Sequence, residues 1–205
     1  MFFGKMVKIS VIIPLYNASS YLHHSIDTLL SQPFQDIEIV LVDDGSTDES
    51  PAICDEYARK DGRIKVFHEA HSGVAHSRQV GLDHAIGEYL LYVDVDDQVQ
   101  PDMISEMYQL AEVQQADMVI CDYRELTHHG EVYHAQKPTA LDGVTILDDI
   151  LNGGNFGHYD KHHAVGHNLL RLYRDARLLR FYPSEALSEP VFRAWHWWWR
   201  KRNGL

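Results

Sequence analysis

Short, strongly apolar runs separated by helix-like segments constrain the fold more than any other feature. The first run, Val7 to Pro14, and the second, Ile37 to Val42, are dominated by β-branched residues. Such runs are typical of strands buried on both faces of a parallel sheet. The segment between them carries apolar residues at helical spacing, follows Ser19 or Ser20 as a suitable N-cap, and ends near Pro33.

The alternation continues along the first part of the chain. Further strands are predicted at Ile64–Phe67, Glu88–Val93 and Asp117–Cys121, and helices at about Asp48–Lys60, within Ser72–Ala85 and from Pro101 onward. Strands alternating with helices indicate βαβ units, so we predict an α/β fold with a mostly parallel central sheet flanked by helices. Beyond about Tyr123 the alternation fades, and Asn168 to Arg180 is predicted to form one basic amphipathic helix.

Composition narrows the functional classes. The chain of 205 residues has a net charge of −12, which argues against a nucleic-acid partner because phosphate backbones demand basic surfaces. Its two cysteines, Cys54 and Cys121, lack the spacing of a metal site or a disulfide framework. No apolar run is long enough to span a membrane, so we expect a cytoplasmic protein. The aromatic and basic segment Trp195 to Lys201 is compatible with peripheral binding at the inner face of the plasma membrane, or with a packed terminal helix.

Polar residues gather where the predicted strands end. In an open parallel sheet, ligands bind beyond the carboxyl ends of the strands. The residues at these ends are Pro14, Tyr16 and Asn17 after the first strand, Asp43 and Asp44 after the second, and Asp94, Asp96 and Asp97 after the fourth. Clustered carboxylates need a compensating charge, and hard divalent cations prefer carboxylate oxygen. We therefore predict a site for Mn²⁺ or Mg²⁺ shared with a phosphorylated ligand.

Four segments in order resemble one known family. They are Ser10–Asn17, Val42–Asp48, Gly73–Gly81 and Asp94–Asp97. In sequence and spacing they resemble the family 2 glycosyltransferases of the GT-A fold. The resemblance is firm over about residues 7–125. It implies a nucleotide-sugar-binding core at 1–125 and an acceptor-side helical or loop extension at 126–205, which we expect to be incomplete.

The resemblance also implies roles on the nucleobase side of the donor site. Pro14, Tyr16 and Asp43 would frame the base, with the tyrosine ring offering a face and Asp43 accepting a base N–H. Asn17 and Asp44 lie in the same motifs and are expected to contribute to donor binding. The bland alternative for residues 43–46 is a turn followed by a helix N-cap.

A second set of roles concerns the ribose and diphosphate. The resemblance implies that Arg78 lies near the base and diphosphate, that Asp94 faces the ribose, and that Asp96 binds the metal. Asp97 would support the site. The alternative for residues 94–97 is a solvated acidic loop.

The acceptor side departs from the family pattern. The family places a catalytic Asp second in a Glu-Asp pair, and here the pair reads Glu189-Pro190. Proline cannot accept a proton, so Glu189 becomes the candidate general base. His158, His162, His163 and His167 fit no strict metal-ligand spacing and are interpreted as a polar acceptor-side loop.

Three functions follow from these observations. The first is an inverting, metal-dependent glycosyltransferase that moves a hexosyl group from a nucleotide-diphosphate sugar, with UDP favoured, to a saccharide or lipid-linked acceptor in cell-surface polysaccharide synthesis. The second is a catalytically inactive nucleotide-sugar-binding domain. The third, a nucleotidyltransferase, is disfavoured because the segment after the first strand, Tyr16 to Ser20, lacks a glycine-rich basic loop.

Overall fold

The structure is a computed structural model that describes residues 7–114, 118–121, 123–127, 130–134 and 168–171. Within these ranges, strands and helices alternate from the start, as the apolar runs predict. The strands are β1 Ile9–Leu15, β2 Ile37–Asp43, β3 Ile64–His68, β4 Tyr89–Tyr92, β5 Met118–Ile120, β6 Tyr123–Thr127, β7 Gly130–His134 and β8 Asn168–Arg171. The helices are α1 Ser19–Leu30, α2 Ser50–Lys60, α3 Val74–His84 and α4 Met103–Gln114.

The central sheet has the strand order β3-β2-β1-β4-β8-β5. The first four strands of that order are parallel, and β8 is antiparallel to both of its neighbours. A separate antiparallel pair is formed by β6 and β7. Strand order reverses between β1 and β4, because the chain runs outward to β3 on one side and returns to place β4 on the other. Ligands bind at such a switch point in open α/β sheets.

Two apolar layers cover the sheet. One buried cluster joins β1 and β2 to α1, α2 and α4, with Ile26, Cys54 and Met107 among its members. The other joins the opposite face to α3, where Leu82 packs in a cluster with Ile12 and Tyr92. Every residue of β1, β2 and β4 is buried, which agrees with strands covered on both faces.

The predicted fold class is confirmed, and one predicted element is wrong. Residues 168–171 form the strand β8 rather than the start of a helix. The pattern of local apolar spacing favoured a helix, whereas pairing with β4 and β5 on both sides determines the observed conformation. The remainder of the predicted helix, up to Arg180, lies outside the described residues.

Two further details concern helices. Neither Ser19 nor Ser20 caps α1: the N-cap residue is Ala18, and its side chain makes no capping hydrogen bond. None of the helices in the described part of the chain has the length and apolar character of a membrane span.

Candidate functional site

The loops that follow β1 and β2 are tied together by side-chain hydrogen bonds. Asn17 has a φ of +48°, and its Oδ1 accepts the backbone N–H of Thr47 at 2.8 Å. In return, the backbone N–H of Asn17 donates to Oγ of Ser46 at 2.8 Å. Asp48 accepts the first N–H groups of α1 and α2, from Ser19 at 3.0 Å and Ser50 at 2.9 Å. These bonds fix the first two strand ends relative to one another.

Asp43, the last residue of β2, is buried and doubly held. Its Oδ1 accepts the backbone N–H of Ser46 at 3.0 Å, and its Oδ2 lies 2.9 Å from Nδ1 of His68, the last residue of β3. Nε2 of His68 lies 3.3 Å from Oδ1 of Asp55 on α2. The hydrogen bond to Asp43 outweighs desolvation and, with Asp55, raises the pKa of His68.

Asp44 is also buried, and its carboxylate organises the loop before α3. One oxygen accepts the backbone N–H of Ser72 at 2.7 Å, and the other accepts that of Gly73 at 2.9 Å. The second oxygen also lies 2.9 Å from Nδ1 of His71. Gly45 allows this close approach because its φ is +73° and a Cβ there would stand 2.8 Å from the backbone nitrogen of His71.

An aromatic pair stands beside these carboxylates. The rings of Tyr16 and His71 stack with centroids 4.2 Å apart and planes inclined by 28°. Both side chains are substantially exposed, at 46% for Tyr16 and 59% for His71. Since His71 covers one face of the tyrosine ring, only the other face is open to a ligand.

Across the switch point, a buried guanidinium meets the end of β4. Nη2 of Arg78, on α3, donates to Oδ1 of Asp94 at 2.8 Å, and the arginine side chain is only 9% exposed. Its Cζ lies 6.0 Å from the ring centroid of buried Tyr92. Nε of Arg78 is buried and has no hydrogen-bond partner among the described residues. A buried donor of this kind is costly unless a ligand satisfies it.

Asp96 differs from the other acids at this edge. Residues 94–97 form a turn in which the backbone N–H of Asp97 donates to the carbonyl of Asp94 at 3.0 Å. Asp96 is exposed at this turn, and it has no ion-pair or hydrogen-bond partner within the described part of the chain. Asp97 is half-buried and does have an interaction partner.

The carboxylates at this edge suit a metal ion whose remaining ligands are phosphate and water. They do not form a metal site made of protein ligands alone. Among the described residues, no group of three or more His, Cys, Asp or Glu side chains is arranged to hold a metal. Mg²⁺ and its analogues commonly use one or two carboxylates, and substrate phosphates and water complete their shell. Asp96, open to solvent, can supply such a carboxylate, and Asp94 keeps one oxygen outside its bond to Arg78.

The structure brings together two groups of the predicted site residues: the loops after β1 and β2, and the α3–β4 pair of Arg78 and Asp94. Pro14 is buried within β1 and lies in register with Val42 of β2. Glu189 and the histidines at 158–167 lie outside the described residues. Sequence reasoning missed His68 and His71, although the same rule applied to the end of β3 would have identified them.

The family assignment rests on a match along most of the chain. A family model described as "Glycosyl transferase family 2" matches residues 10–186. The chain belongs to this family. The match includes the four segments that suggested the resemblance and extends well beyond them.

Two bacterial relatives illustrate the similarity. Glycosyltransferase GlyG of Streptococcus pneumoniae is 44% identical over 116 residues, which are 56% of this chain and 38% of GlyG. EpsJ of Bacillus subtilis, an uncharacterized glycosyltransferase, is 38% identical over 139 residues, 68% of this chain and 40% of EpsJ. This family 2 chain therefore spans less than half the length of the curated relatives that it matches.

Solved structures confirm the fold. A crystal structure of S. aureus TarS 1–349 with UDP superposes with a TM-score of 0.67 at 24% identity, covering 89% of this chain and 52% of the TarS chain. The complex of the same TarS fragment with UDP-GlcNAc gives a TM-score of 0.70, also at 24% identity, and covers 91% and 52%. At such identities the likeness establishes the GT-A fold alone.

Proposed function

We propose that this chain forms the donor-binding part of an inverting hexosyltransferase that uses a nucleotide-diphosphate sugar, with UDP as the nucleotide. Its acceptor would be a saccharide or lipid-linked glycan in cell-surface polysaccharide synthesis at the cytoplasmic face of the membrane. One observation carries the proposal: exposed Asp96 stands two residues beyond Asp94, whose carboxylate is held by buried Arg78, at the switch point of the sheet.

The residues expected around the nucleobase support uracil as the base of the donor. The open face of Tyr16 offers a stacking surface beside the buried carboxylate of Asp43. Each Asp43 oxygen takes one hydrogen bond from the protein, and a carboxylate oxygen can accept two. The remaining capacity suits the imide N–H of uracil. TarS, whose fold this chain shares, was crystallised with UDP and with UDP-GlcNAc.

The residues expected around the diphosphate support a metal ion that bridges the protein and the phosphates. Asp96 would bind the metal, Asp97 would support the turn, and Arg78 would direct its unsatisfied Nε–H to the donor. Bound there, Mn²⁺ or Mg²⁺ would neutralise the charge on the leaving diphosphate. A mannosyltransferase from Pyrobaculum calidifontis, with a TM-score of 0.52 at 23% identity over 68% of this chain and 38% of its own, was solved with GDP-Man and Mn²⁺.

Calorimetric titration tests the donor site. UDP, GDP, dTDP and CMP are titrated with Mn²⁺, with Mg²⁺ and with EDTA against wild type, Asp96→Ala and Asp102→Ala. Asp102 is a matched control because it is an exposed acid on the same β4–α4 connection. We expect metal-dependent UDP binding that weakens by at least about tenfold in Asp96→Ala and is unchanged in Asp102→Ala.

Two results would count against the proposal. If no nucleotide binds under any metal condition, the donor site as assigned is wrong. If UDP binds equally well to Asp96→Ala and wild type, the metal does not depend on Asp96.

The residue at position 190 favours a second function, that of a nucleotide-sugar-binding domain without catalytic activity. Glu189 is the proposed general base, and Pro190 occupies the position at which the family resemblance places the catalytic Asp. A chain with an intact donor site and no effective base would be a nucleotide-sugar-binding domain without turnover. Both functions require the same donor site, so turnover alone separates them.

A further inference from the structure

We infer that His68 is a positioning residue that fixes the carboxylate of Asp43 for the nucleotide, and that Asp55 keeps this histidine charged. The inference rests on the proposed function, since Asp43 is assigned there to the nucleobase. It makes donor affinity depend on pH through a residue that belongs to none of the four motif segments.

The geometry of His68 carries the inference. Its imidazole bridges two carboxylates from different elements: Nδ1 lies 2.9 Å from Oδ2 of Asp43, and Nε2 lies 3.3 Å from Oδ1 of Asp55. A neutral imidazole has one donor nitrogen and one acceptor nitrogen, so it can satisfy only one carboxylate. The imidazolium donates from both nitrogens and satisfies both. The arrangement therefore selects the charged form.

The two carboxylates have different surroundings. The Asp43 side chain is 3% exposed, whereas the Asp55 side chain is 59% exposed. A buried carboxylate is costly without compensation, and among the described residues protonated His68 supplies a positive charge at hydrogen-bond distance from Asp43. Asp55 touches His68 from the solvent side. It can therefore tune the histidine without contacting the donor site.

The other titratable groups around His68 do not oppose its charged form. Burial, with nearby Asp43 and Asp55, raises the pKa of Cys54 on α2 to about 12, so its thiol stays neutral. Glu69 follows His68 directly and adds a further negative charge. His71, on the loop before α3, pairs with Asp44 and not with Asp43.

The sign of the pH effect follows from the direction of the shift. The pKa of His68 is raised above 6.5, chiefly by its hydrogen bond to Asp43. The imidazolium is thus fully present below about pH 6.5 and is lost as pH rises through the folded-state pKa. Deprotonation removes the positive charge beside the Asp43 carboxylate and leaves the imidazole with one N–H for two carboxylates. Nucleotide affinity therefore falls on the alkaline side of this transition.

Three variants isolate the effect. His68→Ala removes both contacts and is expected to weaken binding at every pH. His68→Asn keeps an N–H donor close to the position of Nδ1 but cannot titrate, so its affinity is expected to change with pH only through the titration of UDP itself. Asp55→Asn removes one charge at an exposed position and is expected to move the midpoint of the transition to lower pH, with unchanged affinity at pH 6.

UDP affinity is measured by calorimetry between pH 6.0 and 8.5 at constant Mg²⁺, and the pKa of His68 is followed by NMR in the nucleotide-free protein. Titration of UDP itself is common to all the proteins and cancels in ratios to His68→Asn. Relative to that variant, wild type is expected to lose up to about tenfold in affinity across the range.

The outcomes separate the inference from the function on which it rests. Superimposable pH profiles for wild type and His68→Asn would overturn the inference alone, as would an Asp55→Asn protein whose His68 titrates like wild type. Absence of UDP binding to wild type at every pH would overturn the proposed function and the inference with it.

Discussion

The acidic residues at the carboxyl edge of the sheet are not equivalent once their partners are known. Asp43 and Asp44 are compensated by backbone N–H groups and histidines, and Asp94 is compensated by Arg78. Charge repulsion therefore does not by itself require a metal at these three positions. Within the described residues, Asp96 alone among the predicted donor-site acids has no protein partner, which makes it the strongest candidate for an external cation.

The Arg78–Asp94 pair gives a prediction about stability. Asp94→Asn leaves a guanidinium that is 9% exposed without its counter-charge, and we expect this to lower the free energy of unfolding by about 1–3 kcal/mol. We expect a smaller loss of free energy of unfolding than for a fully buried pair, because the Asp94 side chain is 29% exposed. Urea denaturation of the ligand-free protein measures it.

A double-mutant cycle identifies the cause. Adding Arg78→Met to Asp94→Asn removes the orphaned charge and is expected to recover part of the lost stability. Purely additive losses in the double variant would show that the two side chains are not coupled.

At the scale of elements, helix α3 sets the position of Arg78 by packing unusually close to the sheet. A Cβ at Gly81 would overlap the side chain of Ile12 on β1. Helix α3 can lie this close to β1 because Gly81 has no side chain. The buried ion pair beyond β4 depends on it, since Arg78 lies less than one helical turn away on α3.

Gly81→Ala tests this packing. Alanine favours helix formation, yet the overlap with Ile12 should dominate and lower the free energy of unfolding by about 1–3 kcal/mol. Gly62→Ala is the control: a Cβ there meets nothing within 4 Å, and we expect a change within about 0.5 kcal/mol. Equal urea midpoints for both variants would contradict the close approach of α3 and β1.

How well the sequence predicts an element depends on where that element's partners lie. The strands β1, β2 and β4 were predictable because each is a short apolar run, rich in β-branched residues in β1 and β2, and such a run indicates burial on both faces. The strand β8 was not, because it is held by β4 and β5, which lie about fifty to eighty residues earlier in the chain. Local periodicity contains no information about such pairing.

The same distinction applies to the site. The placement of Asp43, Asp94 and Asp96 at the carboxyl edge of the sheet could be predicted because each comes at the end of a recognisable strand, while their roles remain predictions. The bridging role of His68 could not, because it requires Asp55 on α2 to face the end of β3. That contact depends on the packing of a helix against the sheet.

At the scale of the whole molecule, the beginnings of the strands and their carboxyl ends have different roles. Buried Glu38 lies near the beginnings of the strands, opposite the proposed donor site. Its Oε1 accepts Oγ–H of Ser10 and the backbone N–H of Ile86, and its Oε2 pairs with Lys65. These contacts join the beginnings of the strands. The proposed donor site lies at the carboxyl ends of the strands, and the acceptor side remains a prediction about residues 126–205.

This division predicts that donor binding and turnover can be changed separately. Glu189→Gln and Pro190→Asp alter the proposed base, while the proposed donor site is assigned to other residues. We expect UDP affinity in both variants to match wild type, because Asp43, Arg78 and Asp96 are untouched. If Glu189 is the working base, Glu189→Gln should lower the rate of UDP release from UDP-sugars by about a hundredfold or more.

Pro190→Asp separates an active enzyme from a binding domain. It restores a carboxylate where the family pattern has one, so an inactive chain should gain UDP release from UDP-GlcNAc or UDP-glucose by at least about tenfold. Glu185→Gln, a nearby acid outside the Glu-Asp pair, is the control for nonspecific loss of charge. Unchanged rates in Pro190→Asp, together with a large loss in Glu189→Gln, would assign the base to Glu189. A loss of UDP affinity in either variant would contradict the independence of the two sides, because it would require residues 189 and 190 to support the donor site.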